Sequence, residues 1–380
     1  MTSIVSTARA WRSALLDPVF RSSAFRHLAK RTHRHVKRLL LAGLGALALA
    51  SGLVAAGPMR ALPPPARVRR ALFVRVNFRI GNTLLSMARL AALRARYPQA
   101  RIDVLAAEPT AALFQGLPVD RVYSISRRFV FAPWRMVRLF AELRGRGYDL
   151  AFDGGLTSLS SALYMLLAGA RERVGKDGKS APLLTVKLPI EYADNVHTLA
   201  ESLATALEVP AACGPLYEVS PGESAAALAL LRDLGVASRR NAAPFVAVFV
   251  GGHRQKRWSW AHWHELLTRL DAGPVPVVVI IGPEESAIAE GVRVLAQNSL
   301  RIAPPLPIRN VAAVIARARI LVTPDSGPMH LAAALGVPVV ALLETERSRY
   351  FVPQGSRNQI LFRADVEAVL AALHASALEA

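Results

Sequence analysis

From residue 71 to residue 342, short apolar runs alternate with stretches of helical period. The run 71–76 (ALFVRV) ends in the turn Asn77-Phe78-Arg79-Ile80-Gly81. A helical pattern then carries Leu84, Leu85, Ala88, Leu90, Ala91 and Leu93 to about Arg96, where Tyr97-Pro98-Gln99-Ala100 ends it. Runs at 101–105, 121–124 and 150–153 read as further strands, with helices near 133–145 and 157–168. Turn residues crowd 210–243, around one helix at 224–234. A second series starts at 245–250 (FVAVFV) and Gly251-Gly252. It continues with a helix at 260–271, a strand at 275–281, helices at 284–296 and 308–317, a strand at 320–323, a helix after Ser326, and a strand at 337–342. Strands and helices alternating at this spacing predict right-handed βαβ units and parallel sheets. The expected fold class is α/β, with two doubly wound domains facing across a cleft, over 67–220 and 221–380.

Composition agrees with two packed cores: 380 residues suit two domains, and 52% of them are hydrophobic. The single cysteine, Cys213, excludes an internal disulfide framework and any cysteine-based zinc cluster. Charge changes the picture more. The net charge is +20, and residues 1–70 hold thirteen Lys/Arg against one acid, Asp17. Next to that basic run lies an uncharged, Gly/Ala-rich stretch of nineteen residues, 39–57. It is just long enough to cross a hydrocarbon core of about 30 Å. It reads as a spanning anchor or a segment lying at the interface; a signal peptide is disfavoured by the 38 residues before it. An anionic membrane surface is the expected partner of segment 1–66. Nucleic acid is not, because no recognised module or basic face with stacking aromatics accompanies the charge. Pro63-Pro64-Pro65 separates the segment from the folded part.

Three glycine-bearing turns sit just past a strand's carboxyl end, where helix amino termini present unpaired N–H groups. Arg79-Ile80-Gly81-Asn82-Thr83 is neither GxGxxG nor a P-loop, so it supports neither a dinucleotide oxidoreductase nor a Walker ATPase. On its own it reads as a β-to-α turn capped by Asn82 or Thr83. Gly251-Gly252-His253-Arg254-Gln255-Lys256-Arg257 crowds donors before a helix, which suits a diphosphate or simply a solvated basic loop with Trp258 and Trp260 packed under it. The strongest turn is Thr323-Pro324-Asp325-Ser326-Gly327-Pro328-Met329-His330. Ser326 and the free N–H groups of the first helical turn can bind phosphate oxygens, and His330, four residues on, shares the face of Ser326. The plainer alternative is that Asp325 or Ser326 caps the helix and His330 is an interior histidine.

The phrases VRVNFRIGNTLLSMARLAALRARYP, GGHRQKRWSWAHWHEL and TPDSGPMHLAAALGVPVVAL resemble glycosyltransferase family 9, the ADP-heptose–lipopolysaccharide heptosyltransferases, over roughly residues 70–345. The resemblance implies a GT-B fold of two Rossmann-like domains, with acceptor bound by the N-terminal and donor by the C-terminal one. It implies an inverting, metal-independent transfer of a heptose or related sugar from a nucleotide-diphosphate donor, an ADP-sugar for preference, to a lipopolysaccharide-type glycolipid. No cofactor is implied, and the enzyme would work at the cytoplasmic face of the inner membrane, peripherally or anchored N-terminally. By position, Lys256 would contact the diphosphate, Ser326, Gly327 and His330 would hold the phosphates, and Asp325 would shape that loop. Glu285, or equally Glu284, would stand near the ribose.

One position departs from the family pattern. Where the family carries Gly-Asp, with the Asp as proposed base for the acceptor hydroxyl, this chain has Gly81-Asn82. An amide cannot accept a proton at neutral pH. Asp153, ending the 150–153 strand, is the expected substitute base, with Asn82 orienting the acceptor. The alternative is a catalytically silent GT-B scaffold that binds nucleotide sugar or lipid.

Overall fold

The computed structural model describes residues 60–178, 180–191, 195–212, 214–236, 244–282 and 285–378. The 39–57 run, nearly all of segment 1–66, Cys213 and Glu284 lie outside the described residues.

Two six-stranded sheets, each wholly parallel, dominate the molecule. The first holds β1 (Arg70–Arg75), β2 (Arg101–Ala107), β3 (Arg121–Ile125), β4 (Leu150–Asp153), β5 (Glu172–Lys176) and β6 (Val186–Leu188). Its order is β3-β2-β1-β4-β5-β6. The second holds β7 (Val246–Phe249), β8 (Val277–Ile280), β9 (Leu300–Ala303), β10 (Ile320–Pro324), β11 (Val339–Leu343) and β12 (Gln359–Phe362). Its order is β12-β11-β10-β7-β8-β9. Helices cover both faces, so central strands bury both sides and read as unbroken apolar runs. In β1, Ala71, Leu72, Phe73 and Val74 are all fully buried.

In each sheet the strand order reverses once, between β1 and β4 and between β7 and β10. At such a switch the following helices diverge to opposite faces, opening a crevice at the carboxyl ends. The four loops leaving these strands begin at Val76, Gly154, Val250 and Asp325. With the strand end at Asp153 and the short helices that follow two of the loops, they carry the site residues singled out above other than Glu284 and Glu285.

The halves are joined by apolar packing and by polar contacts, among them the Asn195 side-chain amide donating to the Val352 carbonyl (3.3 Å) and a cluster around Arg309. Leu84, Met87 and Leu113 of the first half share a core with Phe245, Met329 and Leu331 of the second. Helices Ile80–Leu84 and Gly327–Leu335 cross so closely that a Cβ on Gly327 would lie 3.2 Å from Ile80 Cγ2. Arg309 donates to Glu223 (Nη2 to Oε2, 2.7 Å), to Tyr217 Oη (3.0 Å) and to the Gln115 carbonyl of the first half. This guanidinium pulls the Glu223 carboxyl down to about 2.

Several expectations need correction. The helix expected from residue 84 to 96 is broken into Ile80–Leu84 and Met87–Arg96. Strands β5, β6, β9 and β12 and helices Val196–Ala206 and Val366–Leu378 are additional to the elements that the sequence pattern predicts. Burial in β5 includes Arg173 and Lys176, so its sequence lacks an apolar run, and β6 is only three residues long.

Candidate functional site

The second sheet's switch point brings Lys256 to Asp325. Lys256 closes the 3₁₀ turn Arg254–Lys256 in the loop after β7, and its ammonium donates to the Asp325 carboxylate. Asp325 is buried while the Lys256 side chain is 31% exposed, so one end of the pair faces the crevice. The ammonium also sits 5.6 Å over the Phe351 ring. Beneath the loop, Trp258 is buried and donates Nε1–H to the Ala364 carbonyl (3.0 Å), whereas Trp260, at the start of the helix Trp260–Asp271, is exposed and does not pack under the loop.

Ser326 stands at the N-cap of Gly327–Leu335, yet neither it nor Asp325 caps the helix with its side chain. The Ser326 hydroxyl pairs instead with Thr323 Oγ1 at 2.9 Å. Pro328 brings no N–H, so the first turn keeps the Gly327 and Met329 amides for a ligand. One turn on, His330 is only 7% exposed, and its Nδ1 has no hydrogen-bond partner. Burial, with His197 and Lys256 adding to it and Asp325 opposing, brings the imidazole down to about 4. The ring is therefore neutral at pH 7.

The ring of His330 is pressed by the other half of the molecule. A Cβ on Gly81 would lie 2.5 Å from His330 Cδ2 and 3.1 Å from Nε2. Only glycine permits that approach. Gly81, Asn82 and Thr83 all lie within the short helix Ile80–Leu84, so neither Asn82 nor Thr83 is an N-cap; Arg79 holds that position. Thr83 is buried, its hydroxyl bonded to the Arg79 carbonyl at 3.2 Å.

Glu285 is buried beside the same loop. Its carboxylate fills the space that side chains on Gly251 and Gly282 would need, which explains both glycines at these strand ends. It stands just before the helix Ser286–Leu295 without capping it.

At the first sheet's switch point, Asp153 is fully buried. Its two oxygens accept from the Gly155 and Ser158 amides, each at 2.8 Å. Burial pushes the carboxyl up, and those amides and Arg75 oppose the rise. Such a group fastens the loop 154–158 and offers no surface to a substrate. The aromatic floor below is Phe73 stacked on Phe152 at 6.0 Å, over which only a glycine at 154 can pass.

Residues that sequence reading missed surround Asn82. Arg75, at the end of β1, donates to the Asn82 carbonyl through Nε (3.2 Å) and Nη2 (2.5 Å). Arg89, buried, donates to the Gly154 carbonyl at 2.7 Å. Burial, with Arg89 beside it, lowers Arg75 to about 10, and it stays charged. With Asn77, Asn82, Lys176, Tyr350 and Phe351 these arginines line a cleft of about 270 Å³. Only the odd placement of Arg89 in an apolar helical stripe hinted at them. The cleft thus joins a cationic pocket in the first half to Phe351, under Lys256, in the second.

Residues 136–370 match the family model described as glycosyltransferase family 9 (heptosyltransferase). Lipopolysaccharide heptosyltransferase 2 of Salmonella typhimurium is 26% identical over 308 residues, covering 74% of this chain and 85% of that protein. Lipopolysaccharide heptosyltransferase 3 of Escherichia coli is 26% identical over 304 residues, covering 75% and 86%. Among solved structures, E. coli ADP-heptose lipopolysaccharide heptosyltransferase II superposes with a TM-score of 0.67 at 24% identity, covering 81% of this chain and 99% of that one. The glycosyltransferase family 9 protein of Veillonella parvula gives 0.71 at 18%, covering 83% and 99%. At these identities the structural matches speak for the fold alone.

Proposed function

Since the chain belongs to glycosyltransferase family 9, the heptosyltransferases, and is a glycosyltransferase, we propose that it moves a heptose or related sugar from an ADP-sugar to a lipopolysaccharide-type glycolipid. The observation that carries this reading is the convergence of Lys256, Asp325 and His330 at one switch point, with Gly81 of the other half packed on the imidazole. The diphosphate lies at the amino terminus of Gly327–Leu335, where the Gly327 and Met329 amides and the Ser326 hydroxyl donate to its oxygens. Lys256, partly released from Asp325, supplies the positive charge that stabilises the departing diphosphate. No metal takes part in this reading. Glu285 accepts from the ribose hydroxyls.

The acceptor enters the cleft from the first half and carries an anionic group, which Arg75, Arg89 and Lys176 receive. The Asn82 side chain accepts from the acceptor hydroxyl and holds it for attack on the face opposite the diphosphate. As the new bond to the anomeric carbon forms, the bond from that carbon to the diphosphate oxygen breaks, the anomeric configuration inverts, and the hydroxyl proton leaves to water in the cleft. Asp153 is the positioning residue that fixes the loop beneath this pocket. The enzyme acts at the cytoplasmic face of the inner membrane, where such a donor and acceptor meet. No described helix is long and apolar enough to cross a membrane.

A second reading, a silent scaffold that binds nucleotide sugar, rests on Asn82, which lacks a carboxylate's proton affinity. Native mass spectrometry of the chain with ADP-heptose tests the shared donor assignment: a bound mass equal to donor or ADP supports it, and no retained nucleotide removes both readings.

A further inference from the structure

Most large apolar side chains of the folded part are buried, but three exposed ones fall within seven residues of each other. Phe131, Trp134 and Val137 are 69%, 64% and 70% exposed. They lie on the turn Arg127–Phe131 and the first two turns of the helix Pro133–Gly145. The same helix buries Phe140 and Leu143 against the sheet, with Phe140 packed on Tyr164 at 5.5 Å between ring centres. Its outward face is therefore held rigidly, and the apolar groups on it are not covered by the fold.

The surround is predominantly basic, with one carboxylate at its edge, Glu108, which accepts from the Ser126 hydroxyl at the start of the turn. Arg127, Arg128, Arg135 and Arg138 are exposed around the three apolar groups, and the only carboxylate of the helix is Glu142, two turns along. Apolar groups that would insert, ringed by guanidinium groups at headgroup height, complement an anionic bilayer interface. Trp is well suited to that depth, because its indole has an apolar body and a polar N–H.

Position strengthens the case. The turn Arg127–Phe131 leaves the carboxyl end of β3, on the edge of the sheet that carries the acceptor-side loop. The Arg127 guanidinium lies 4.0 Å over the ring of Phe78, and the neighbouring Asn77 lines the cleft. From these observations we infer that Phe131, Trp134 and Val137 with their arginines form a membrane-docking surface for anionic lipid, separate from segment 1–66, which seats the cleft mouth on the bilayer. The inference rests on the glycolipid-acceptor reading for its purpose, though not for its test.

The test must distinguish this patch from the basic N-terminal segment in the full chain. With Cys213 replaced by Ser, a nitroxide is attached at Val137→Cys or, as a control on the other half, at exposed Val294→Cys. Collision with oxygen and with a water-soluble nickel chelate is read on vesicles containing phosphatidylglycerol. The nitroxide at 137 should gain oxygen contact and lose nickel contact several-fold, while that at 294 stays as in water. On purely zwitterionic vesicles the immersion at 137 should be lost. A triple Phe131→Ser/Trp134→Ser/Val137→Ser variant should partition to anionic vesicles at least about tenfold less, from the apolar area it no longer buries. Water accessibility at 137 on a vesicle-bound chain would overturn the inference, as would immersion indifferent to lipid charge. So would loss of nickel contact without vesicles, which would mean a second copy covers the patch. ADP-heptose binding by the same labelled chain reports separately on the donor reading.

Discussion

Gly81 and His330 touch across the boundary between the halves: a Cβ on Gly81 would stand 2.5 Å from the imidazole Cδ2. The acceptor-side loop and the phosphate-side helix therefore share one contact, and a change to either shifts the other.

Gly81→Ala should force the His330 ring aside and lower transfer at least about tenfold, the loss expected when reacting groups shift by a fraction of an ångström. His330→Ala removes the ring, so Gly81→Ala should add little further loss of stability in that background. Melting temperatures and turnover of the four combinations form a double-mutant cycle. Additive effects would mean that the contact is not coupled.

His330 sets a pH dependence with two signs. The free protein holds the imidazole near 4, below its ordinary 6.5. The unfolded chain therefore binds the proton first, and stability, fully present above pH 6.5, falls as pH drops towards 4. The loss is on the order of 3 kcal/mol, since each tenfold difference in proton affinity between the folded and unfolded chain is worth about 1.36 kcal/mol. Denaturant midpoints across that range should show it, and His330→Gln should flatten the slope. A bound diphosphate raises the imidazole's proton affinity, so ADP should bind more tightly as pH falls from 6.5, with proton uptake detectable by calorimetry in two buffers.

Lys256→Ala removes a charge-assisted bond worth about 1.5–3 kcal/mol, so ADP affinity should fall roughly ten- to hundredfold. It also leaves the Asp325 carboxylate buried without its partner, so the variant should lose stability. Lys256→Ala/Asp325→Asn should regain stability without regaining affinity. Unchanged ADP affinity in Lys256→Ala would remove the phosphate role of the loop.

The missing carboxylate at position 82 can be supplied. Asn82→Asp should be ionised beside Arg75 and Arg89, and it should raise turnover, by up to about 10²–10⁴-fold if proton removal limits the wild type. Asp153→Asn should lose about 1–3 kcal/mol of stability through the amide left unpaired, with the pH profile of kcat unmoved. A vanished acid limb in Asp153→Asn would restore Asp153 as the base.

The central strands and the helices that follow them were legible because both leave strong periodic marks. The run at 150–153 and the helix Pro133–Gly145 match their expected bounds. Strand β5 was hidden because it carries Arg173 and Lys176 into the interior, and β12 because it is a half-exposed edge. The glycine turns marked the donor loops and the acceptor-side loop, since a backbone that must pass close to Glu285 or to His330 tolerates no side chain. The cationic cleft was not legible. Tyr350 is far from Arg75 and Arg89 in the chain, and the three meet only through the switch-point topology. Asp153 was rightly placed at a strand's carboxyl end, but its two amide partners depend on how the loop 154–158 folds back.

The central claim is transfer from ADP-heptose to a membrane glycolipid. The most direct measurement incubates the full chain with ADP-heptose and heptose-deficient lipopolysaccharide in vesicles, and follows ADP release together with the mass of the glycolipid. The account predicts a glycolipid heavier by one heptosyl residue, with one ADP released per residue added and neither product formed by Lys256→Ala at the same donor concentration. Tight donor binding with no ADP released and no change in glycolipid mass would contradict it, and would leave the chain a nucleotide-sugar-binding scaffold.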